Sequence, residues 1–240
     1  MTFDSLEDRV PAESLFETLR QAMPDGDSRG VLARLFGVHP IPELCRSWYT
    51  GAIGELAVAR VLGTLPTDWL VLHSVPVGDR RSDIDHVLIT PTGRVITINT
   101  KHHDGATIWV GAKTVMVNGQ KQPYLRNSKH EADRAARYLT AATGHPVAAL
   151  GMIVIVGAKK LTVRQEPDDV AVVQLEHLKR FLTRELKTTP SDSDRARLRA
   201  AAVAPGTWTT QQTDTPDPTL VPWFDPVSYT HLTLPTNREV

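Results

Sequence analysis

The side chains best suited to chemistry in this chain cluster around one predicted β-hairpin. Asp83 and Asp85 open a run of alternating apolar residues, and Asn99 and Lys101 close the next run. Both runs have the period of a strand, and the Pro-Thr-Gly segment centred on Thr92 is typical of a tight turn. A hairpin symmetric about Thr92 places Asp85 opposite Asn99. Asp83 then lies opposite Lys101, and all these side chains share one face because strand residues two apart do so.

Two acids, an amide and a lysine that converge in this way suit metal-dependent cleavage of a phosphodiester bond. Mg²⁺ prefers oxygen ligands and keeps several waters, so one or two carboxylates suffice to bind it. Asp85 is the first candidate ligand. Lys101 is placed to orient the attacking water or to stabilise charge on the phosphate. The competing interpretation is an ordinary cross-strand ion pair between Asp83 and Lys101.

A further acid is predicted from the helix that precedes the hairpin. Gly51 and Gly54 lie inside this helix, where glycine is unfavourable. The two glycines therefore indicate that the helix closely approaches another element. Glu55 is then predicted to project toward the sheet, whereas the competing interpretation is an ordinary solvated helix residue.

Composition limits the class of protein. The 240 residues carry 27 Lys and Arg against 27 Asp and Glu, which disfavours a polybasic binding protein. Cys45 is the single cysteine, which excludes an internal disulfide and favours the reducing cytoplasm. The N-terminus lacks the apolar core of a signal peptide, and the longest apolar stretch, Val147 to Val156, is too short to span a bilayer. We therefore expect a cytoplasmic protein without a membrane partner.

Hydrophobic periodicity predicts an α/β protein with parallel crossovers in its second half. A Ser-x-x-Glu capping box at Ser128 and Glu131 predicts a helix that begins there and ends at Gly144. The other predicted helices are residues 5–23 (broken at Pro11), 43–62, 175–186 and 191–203; the predicted strands are 69–72, 83–89, 94–101, 107–117 (with a turn at Gly111), 152–156 and 170–173.

A surface that could contact nucleic acid is predicted between residues 113 and 137, where basic residues outnumber acidic ones. The predicted helix N-terminus at Ser128 could hold a phosphate. The alternative is a solvated basic face without a ligand. The residues predicted to bind nucleic acid are Lys113, Lys121, Arg126, Lys129 and Arg134, with Gln120 or Gln122 adding a polar contact.

Three motifs in this order resemble the nuclease-related domain (NERD) family of the PD-(D/E)xK nuclease superfamily. They are Gly51-x-x-Gly54-Glu55, then Ser82-Asp83-Ile84-Asp85-His86-Val87-Leu88-Ile89, and then Asn99-Thr100-Lys101. The resemblance covers about Gly51 to Val173. It implies a restriction-endonuclease-like mixed β-sheet flanked by helices and Mg²⁺-dependent hydrolysis of DNA, with Mn²⁺ as an alternative cation. The periodicity outside this segment predicts additional N- and C-terminal helices.

The resemblance also implies which residues do the chemistry. The catalytic set is Glu55, Asp85, Asn99 and Lys101, of which Glu55, Asp85 and Asn99 are the metal ligands. Apart from the resemblance, we expect Asp83 and Gln120 to support these residues without binding the metal directly. Asn99 stands where the (D/E)-x-K element has its acid, and it offers a neutral carbonyl oxygen in place of a carboxylate. Three interpretations stay open: a metal-dependent deoxyribonuclease, a catalytically silent module that binds nucleic acid or a protein partner, and a purely structural sheet domain with an incidental ion pair.

The predicted organisation has four parts. An N-terminal helical extension (1–42) either covers the sheet or offers a surface to a protein partner or a second copy. A NERD-like domain (43–188) and a C-terminal helix (189–204) follow. The Pro/Thr-rich remainder (205–240) is interpreted as a linker and tail, and its last residues, 228–240, as a native tail or a cloning scar.

Overall fold

The computed structural model describes residues 5–22, 43–78, 82–184 and 192–210. In these ranges the helices are α1 (Glu13–Ala22), α2 (Arg46–Leu62), α3 (Tyr124–Thr143), α4 (Leu175–Arg184) and α5 (Asp192–Val203). The strands are β1 (Leu70–Pro76), β2 (Asp83–Ile89), β3 (Val95–His102), β4 (Thr107–Gly111), β5 (Thr114–Val117), β6 (Gln120–Gln122), β7 (Ala149–Val156), β8 (Lys160–Val163) and β9 (Val170–Gln174). Short 3-10 turns span Leu6–Asp8, Glu43–Cys45 and Pro205–Thr207.

The main sheet has the strand order β1-β2-β3-β7-β9. Strands β1, β2 and β3 are antiparallel, whereas β7 pairs parallel with both β3 and β9. The predicted mixed sheet with parallel crossovers is thus confirmed. The hairpin register is also as predicted, because the pairing of His86 with Ile98 and of Ile89 with Val95 is symmetric about Thr92.

A second sheet, with the order β6-β5-β4-β8, was not predicted as a separate unit. Its edge strands β6 and β8 have three and four residues and no long apolar alternation, so the sequence signal for them is weak. Ile108 and Val115 of this sheet pack with Ile153 and Ile155 of β7. The second sheet therefore covers part of one face of the main sheet.

Helices cover both faces of the main sheet. On one face, Val58 of α2 and Leu178 of α4 share a buried cluster with Ile98 and Met152. On the other face, Leu139 of α3 packs in a cluster with strand residues and with helix α5. Strand alternation sends successive side chains to opposite faces, so Ile98 belongs to the α2 side and Asn99 to the α3 side.

The N-terminal helix packs on the domain. The predicted break at Pro11 is confirmed, since α1 starts only at Glu13. Phe16 and Leu19 of α1 are fully buried in a cluster with Ala52 of α2. The apolar face of α1 is therefore covered within the chain.

The C-terminal segment differs from the predicted linker in its first residues. Trp208 is fully buried, and its indole Nε1 donates to the carbonyl of Ala202 over 2.8 Å. Residues 205–209 thus complete the core, because removing the large apolar surface of an aromatic ring from water stabilises the folded state. Residues 211–240, including 228–240, lie outside the described ranges.

The predicted start of α3 is wrong. The helix begins at Tyr124, and Ser128 lies in its second turn, buried. The Ser128 Oγ and carbonyl oxygen each lie 2.9 Å from where a Cβ on Gly151 would stand. Ser128 therefore packs against β7 and cannot form the phosphate-holding helix N-terminus.

Across the described ranges, every helix is too short or too polar to cross a lipid bilayer.

Candidate metal-binding active site

Asp85 lies near the start of β2, where pairing with β3 ends. Its Oδ2 accepts a hydrogen bond of 2.6 Å from the backbone N–H of Thr100. Burial raises the pKa of Asp85 to about 7, and the nearby Lys101 ammonium and the Thr100 N–H oppose that rise. An acid held in this way is ready to exchange its proton for a cation.

Glu55 reaches the same site from α2. A Cβ on Gly54 would lie 3.1 Å from the Cβ of His102 and 3.2 Å from the Cγ2 of Thr100. A larger residue at position 54 would crowd β3, which confirms that the helix closely approaches another element. Glu55 is buried, and its pKa is raised by burial and then by the neighbouring charge of Asp85. The two acids are therefore electrostatic neighbours.

Asn99 is paired with an acid that the sequence did not predict for the site. Its Nδ2 donates to both carboxylate oxygens of Glu131, over 2.7 and 2.9 Å. The Asn99 Oδ1 is buried and accepts no hydrogen bond. Burial raises the pKa of Glu131, and the Asn99 hydrogen bond lowers it. An acid on α3 thus lies beside Asn99, the residue that stands in place of the acid of the (D/E)-x-K element.

The sequence carried only a weak signal for this role of Glu131. Its spacing from Ser128 matched a helix cap, which is the commoner use of a Ser-x-x-Glu pair. The informative residue is Gly151 on β7, because the absent side chain lets Ser128 and its helix approach the sheet closely. That approach brings Glu131 next to Asn99.

Lys101 lies on the same side of the sheet. Its Nζ is 5.4 Å from the centroid of the Tyr124 ring, within the range of a cation–π contact. The Tyr124 hydroxyl is 2.9 Å from the Nε2 of His103, and the two rings stack. The positive charge of Lys101 opposes the rise in the pKa values of Asp85 and Glu131 that burial causes. Lys101 is therefore placed among the acids as predicted from the hairpin.

Asp83 is held by the N-terminal helix. Its Oδ2 accepts a hydrogen bond of 2.6 Å from the Oγ of Ser14. The ion pairs among the described residues do not include one between Asp83 and Lys101. The simple cross-strand ion pair therefore does not account for the cluster.

Three of the residues predicted to support the site or to bind nucleic acid lie on the second sheet. Gln120 starts β6 and is exposed, as is Lys121 beside it. Lys113 is exposed in the turn between β4 and β5. No hydrogen bond within the described ranges joins Gln120 to the acids, so the structure does not bring it into the cluster.

The remaining predicted basic residues lie on α3. Lys129 is 3.4 Å from Asp133 and 3.6 Å from Asp169, so two acids already compensate its charge. Arg126 and Arg134 instead line a pocket that contains Asp83 and Glu131. The structure therefore places these two arginines, unlike Lys129, next to the site.

The donors fit a hard divalent cation. The charge of Asp83 raises the pKa values of Glu55, Asp85 and Glu131, which shows that the acids repel one another. The Asn99 Oδ1, which accepts no hydrogen bond, adds a neutral oxygen donor. An all-oxygen set of this kind suits Mg²⁺ or Mn²⁺. No three His, Cys, Asp or Glu side chains in the described ranges stand in the arrangement of a formed metal site, so a cation could bind here only if the side chains adjusted.

The fold and these residues define a class: an α/β protein whose mixed sheet carries acids, an amide and a lysine on its central hairpin. Residues 50–156 match the family described as the nuclease-related domain, NERD. The matched segment runs from α2 to the end of β7 and includes the acids, Asn99 and Lys101. The part of the chain that carries the motifs is therefore similar to a nuclease-related domain, in agreement with the family that the motifs suggested. No curated protein and no solved structure matches the chain.

Proposed function

We propose that the protein hydrolyses phosphodiester bonds of DNA with the help of Mg²⁺, for which Mn²⁺ can substitute. The observation that carries the proposal is the contact between Asn99 and Glu131, because it supplies a carboxylate where this chain has an amide in place of the acid of the family motif. The buried single cysteine, Cys45, fits work in a reducing cytoplasm.

The proposed cation ligands are Glu55, Asp85 and the Oδ1 of Asn99. When bound there, the cation would lower the pKa of a coordinated water and neutralise charge on the phosphate. Repulsion among the acids would be relieved, which is a driving force for binding.

Asn99 and Glu131 together replace a single acid. The amide group of Asn99 donates to Glu131 through Nδ2, so its Oδ1 points away from Glu131 and is available as a ligand. Glu131 contributes the negative charge that the amide lacks. The ligand oxygen and the charge thus come from two residues on different elements.

Lys101 is the proposed group that positions water or stabilises charge on the phosphate. The Tyr124 ring lies beside its ammonium, and Tyr124 is in turn held by His103. This support restricts where the ammonium can lie, which favours a positioned donor over a freely moving one.

The first test is cleavage of supercoiled plasmid and linear DNA in Mg²⁺, Mn²⁺ or EDTA, with Asp85→Ala and Lys101→Ala alongside. We expect cleavage that needs the cation and falls by at least about a hundredfold in both variants. Binding without cleavage in every metal would contradict hydrolysis and favour the silent binding module. The absence of a formed metal site among the described residues is the observation that favours this second candidate.

A second test exchanges the two partners at Asn99 and Glu131. Glu131→Gln removes the charge and should lower metal-dependent cleavage by about ten- to a hundredfold. The double variant Asn99→Asp/Glu131→Gln keeps a hydrogen bond, with the introduced amide donating to the introduced carboxylate, and should recover most of the activity. The exposed Glu176→Gln change on α4 is the matched control. A double variant no more active than Glu131→Gln would reject the shared role.

A further inference from the structure

A pocket of about 360 Å³ adjoins the acid cluster on the α3 side of the main sheet. Its walls are formed by Ser82, Asp83, Arg126, His130, Glu131 and Arg134, among others. Two of these residues, Asp83 and Glu131, also belong to the cluster described above. The pocket therefore opens directly beside the place where the cation would bind.

One wall of the pocket is basic. Arg126, His130 and Arg134 follow one another every four residues along α3, so they share one face of the helix. Within the described ranges, neither Arg126 nor His130 forms an ion pair, and both are exposed. This wall differs from the neighbouring Lys129, which is paired with two acids.

Arg134 is held in position at the base of the pocket. Its Nη2 donates to the carbonyl of Val77 over 2.9 Å, and the side chain is half-buried. Gly78 has a φ of 72°, and a Cβ there would lie 2.9 Å from the same Nη2. The backbone at Gly78 is thus shaped to admit the guanidinium, and the hydrogen bond to Val77 among the described residues uses only its Nη2 atom.

We propose that this pocket binds a phosphate group of the DNA strand next to the phosphodiester that is cut. Planar guanidinium groups match the oxygens of a phosphate, and an imidazole beside them adds a donor. The inference rests on the proposed function, because a cation held by the neighbouring Glu55, Asp85 and Asn99 offsets the negative charge of Asp83 and Glu131 where a phosphate would approach. The pocket has the size of a small-ligand site, which suits one nucleotide of a strand that continues into the acid cluster.

The test measures DNA binding by the full chain in Ca²⁺, over a range of salt concentrations, for Arg126→Ala and Arg134→Lys. The second variant keeps the charge and removes the planar fork. We expect Arg126→Ala to weaken binding about tenfold and to lower the slope of log K against log salt by about one. Arg134→Lys should weaken binding but leave most of the slope of log K against log salt, because lysine keeps the positive charge. Arg60→Ala, an exposed change on α2 at the opposite face, should bind like the wild type.

Three DNA forms identify which phosphate occupies the pocket: closed circles, linear duplexes with 5′-phosphates, and linear duplexes with 5′-hydroxyls. A loss on all three indicates an internal phosphate, and a loss only on the 5′-phosphorylated duplex indicates a terminal one. Wild-type binding by both arginine variants on every form would overturn the pocket. Binding that depends on the arginines without any cleavage in Mg²⁺ would overturn hydrolysis alone, and no binding by the wild type would overturn both proposals.

Discussion

At the scale of single residues, the site depends on carboxyl groups that are poorly solvated. Asp85 has a pKa raised to about 7, chiefly by burial. The pKa values of Glu55 and Glu131 are raised for the same first reason. Near neutral pH, Asp85 without a cation is therefore only partly ionised, and a cation that binds there must displace its remaining proton.

Mg²⁺ binding at pH 7 should therefore release protons. We expect Asp85 alone to contribute about half a proton, because its pKa lies near the pH of the experiment. Titration calorimetry in buffers of different ionisation enthalpy measures this release. Asp85→Asn should reduce it, and a binding enthalpy independent of the buffer would contradict the prediction.

A second residue-scale prediction concerns a buried histidine pair. The Nδ1 atoms of His73 and His86 lie 2.8 Å apart across β1 and β2. Burial lowers the pKa of His73 to about 4 and holds that of His86 well below its usual value. Below about pH 6.5, the two histidines bind protons in the unfolded chain but stay neutral in the folded chain. The free energy of unfolding that they contribute above that pH is therefore lost as the pH falls toward 4.

The free energy of unfolding should thus fall by about 1 kcal/mol per pH unit for each histidine in that range. Urea unfolding at several pH values measures the slope. The double variant His73→Phe/His86→Leu should show a shallower slope, and the carboxylates common to both proteins cancel in the comparison. Parallel slopes would argue against a neutral buried pair.

At the scale of elements, two close approaches bring the acids together. Gly54 lets α2 lie against β3, and Gly151 lets α3 lie against β7. The first approach positions Glu55 beside Asp85, and the second positions Glu131 beside Asn99. The helices thus act as rigid supports whose distance from the sheet sets the geometry of the site.

Gly54→Ala should separate α2 from β3. The added methyl group would meet the side chains of His102 and Thr100 at little more than 3 Å, so we expect a loss of about 1–3 kcal/mol in stability. Mg²⁺ affinity should fall as well, because Glu55 moves with the helix. Gly63→Ala is the control: Gly63 has a helical φ of −63° and its nearest atom lies at 3.4 Å. Equal effects of both substitutions, measured by urea unfolding and calorimetry, would contradict this account.

At the scale of the whole molecule, elements outside residues 50–156 complete the matched domain. Helix α1 reaches the site from the N-terminal side, where Ser14 donates to Asp83 and the backbone N–H of Ala12 donates to Glu55. On the C-terminal side, β9 adds an edge strand to the main sheet, and α4 packs on the same face as α2. Trp208 belongs to the buried cluster on the other face of the sheet. The elements outside the family segment therefore share buried clusters with it.

A fragment of residues 50–156 should fail to fold alone, whereas the full chain should unfold cooperatively in urea. Trp208→Ala should cost about 3–5 kcal/mol, since its indole is fully buried. Trp48→Ala is a matched control because Trp48 is 37% exposed. A folded fragment, observed by circular dichroism, would show that the flanking elements are dispensable.

The sequence by itself determined the hairpin, its register about Thr92, and the positions of Glu55, Asp85 and Lys101. These features follow from local rules: strand period, turn chemistry and the cost of glycine in a helix. Only the tertiary structure decided the start of α3, the second sheet, the burial of Trp208 and the pairing of Asn99 with Glu131. That last contact joins residues 32 positions apart, and it depends on how closely a helix packs on a strand. Packing across such separations leaves no period in the sequence, because it is set by the shape of both partners at once.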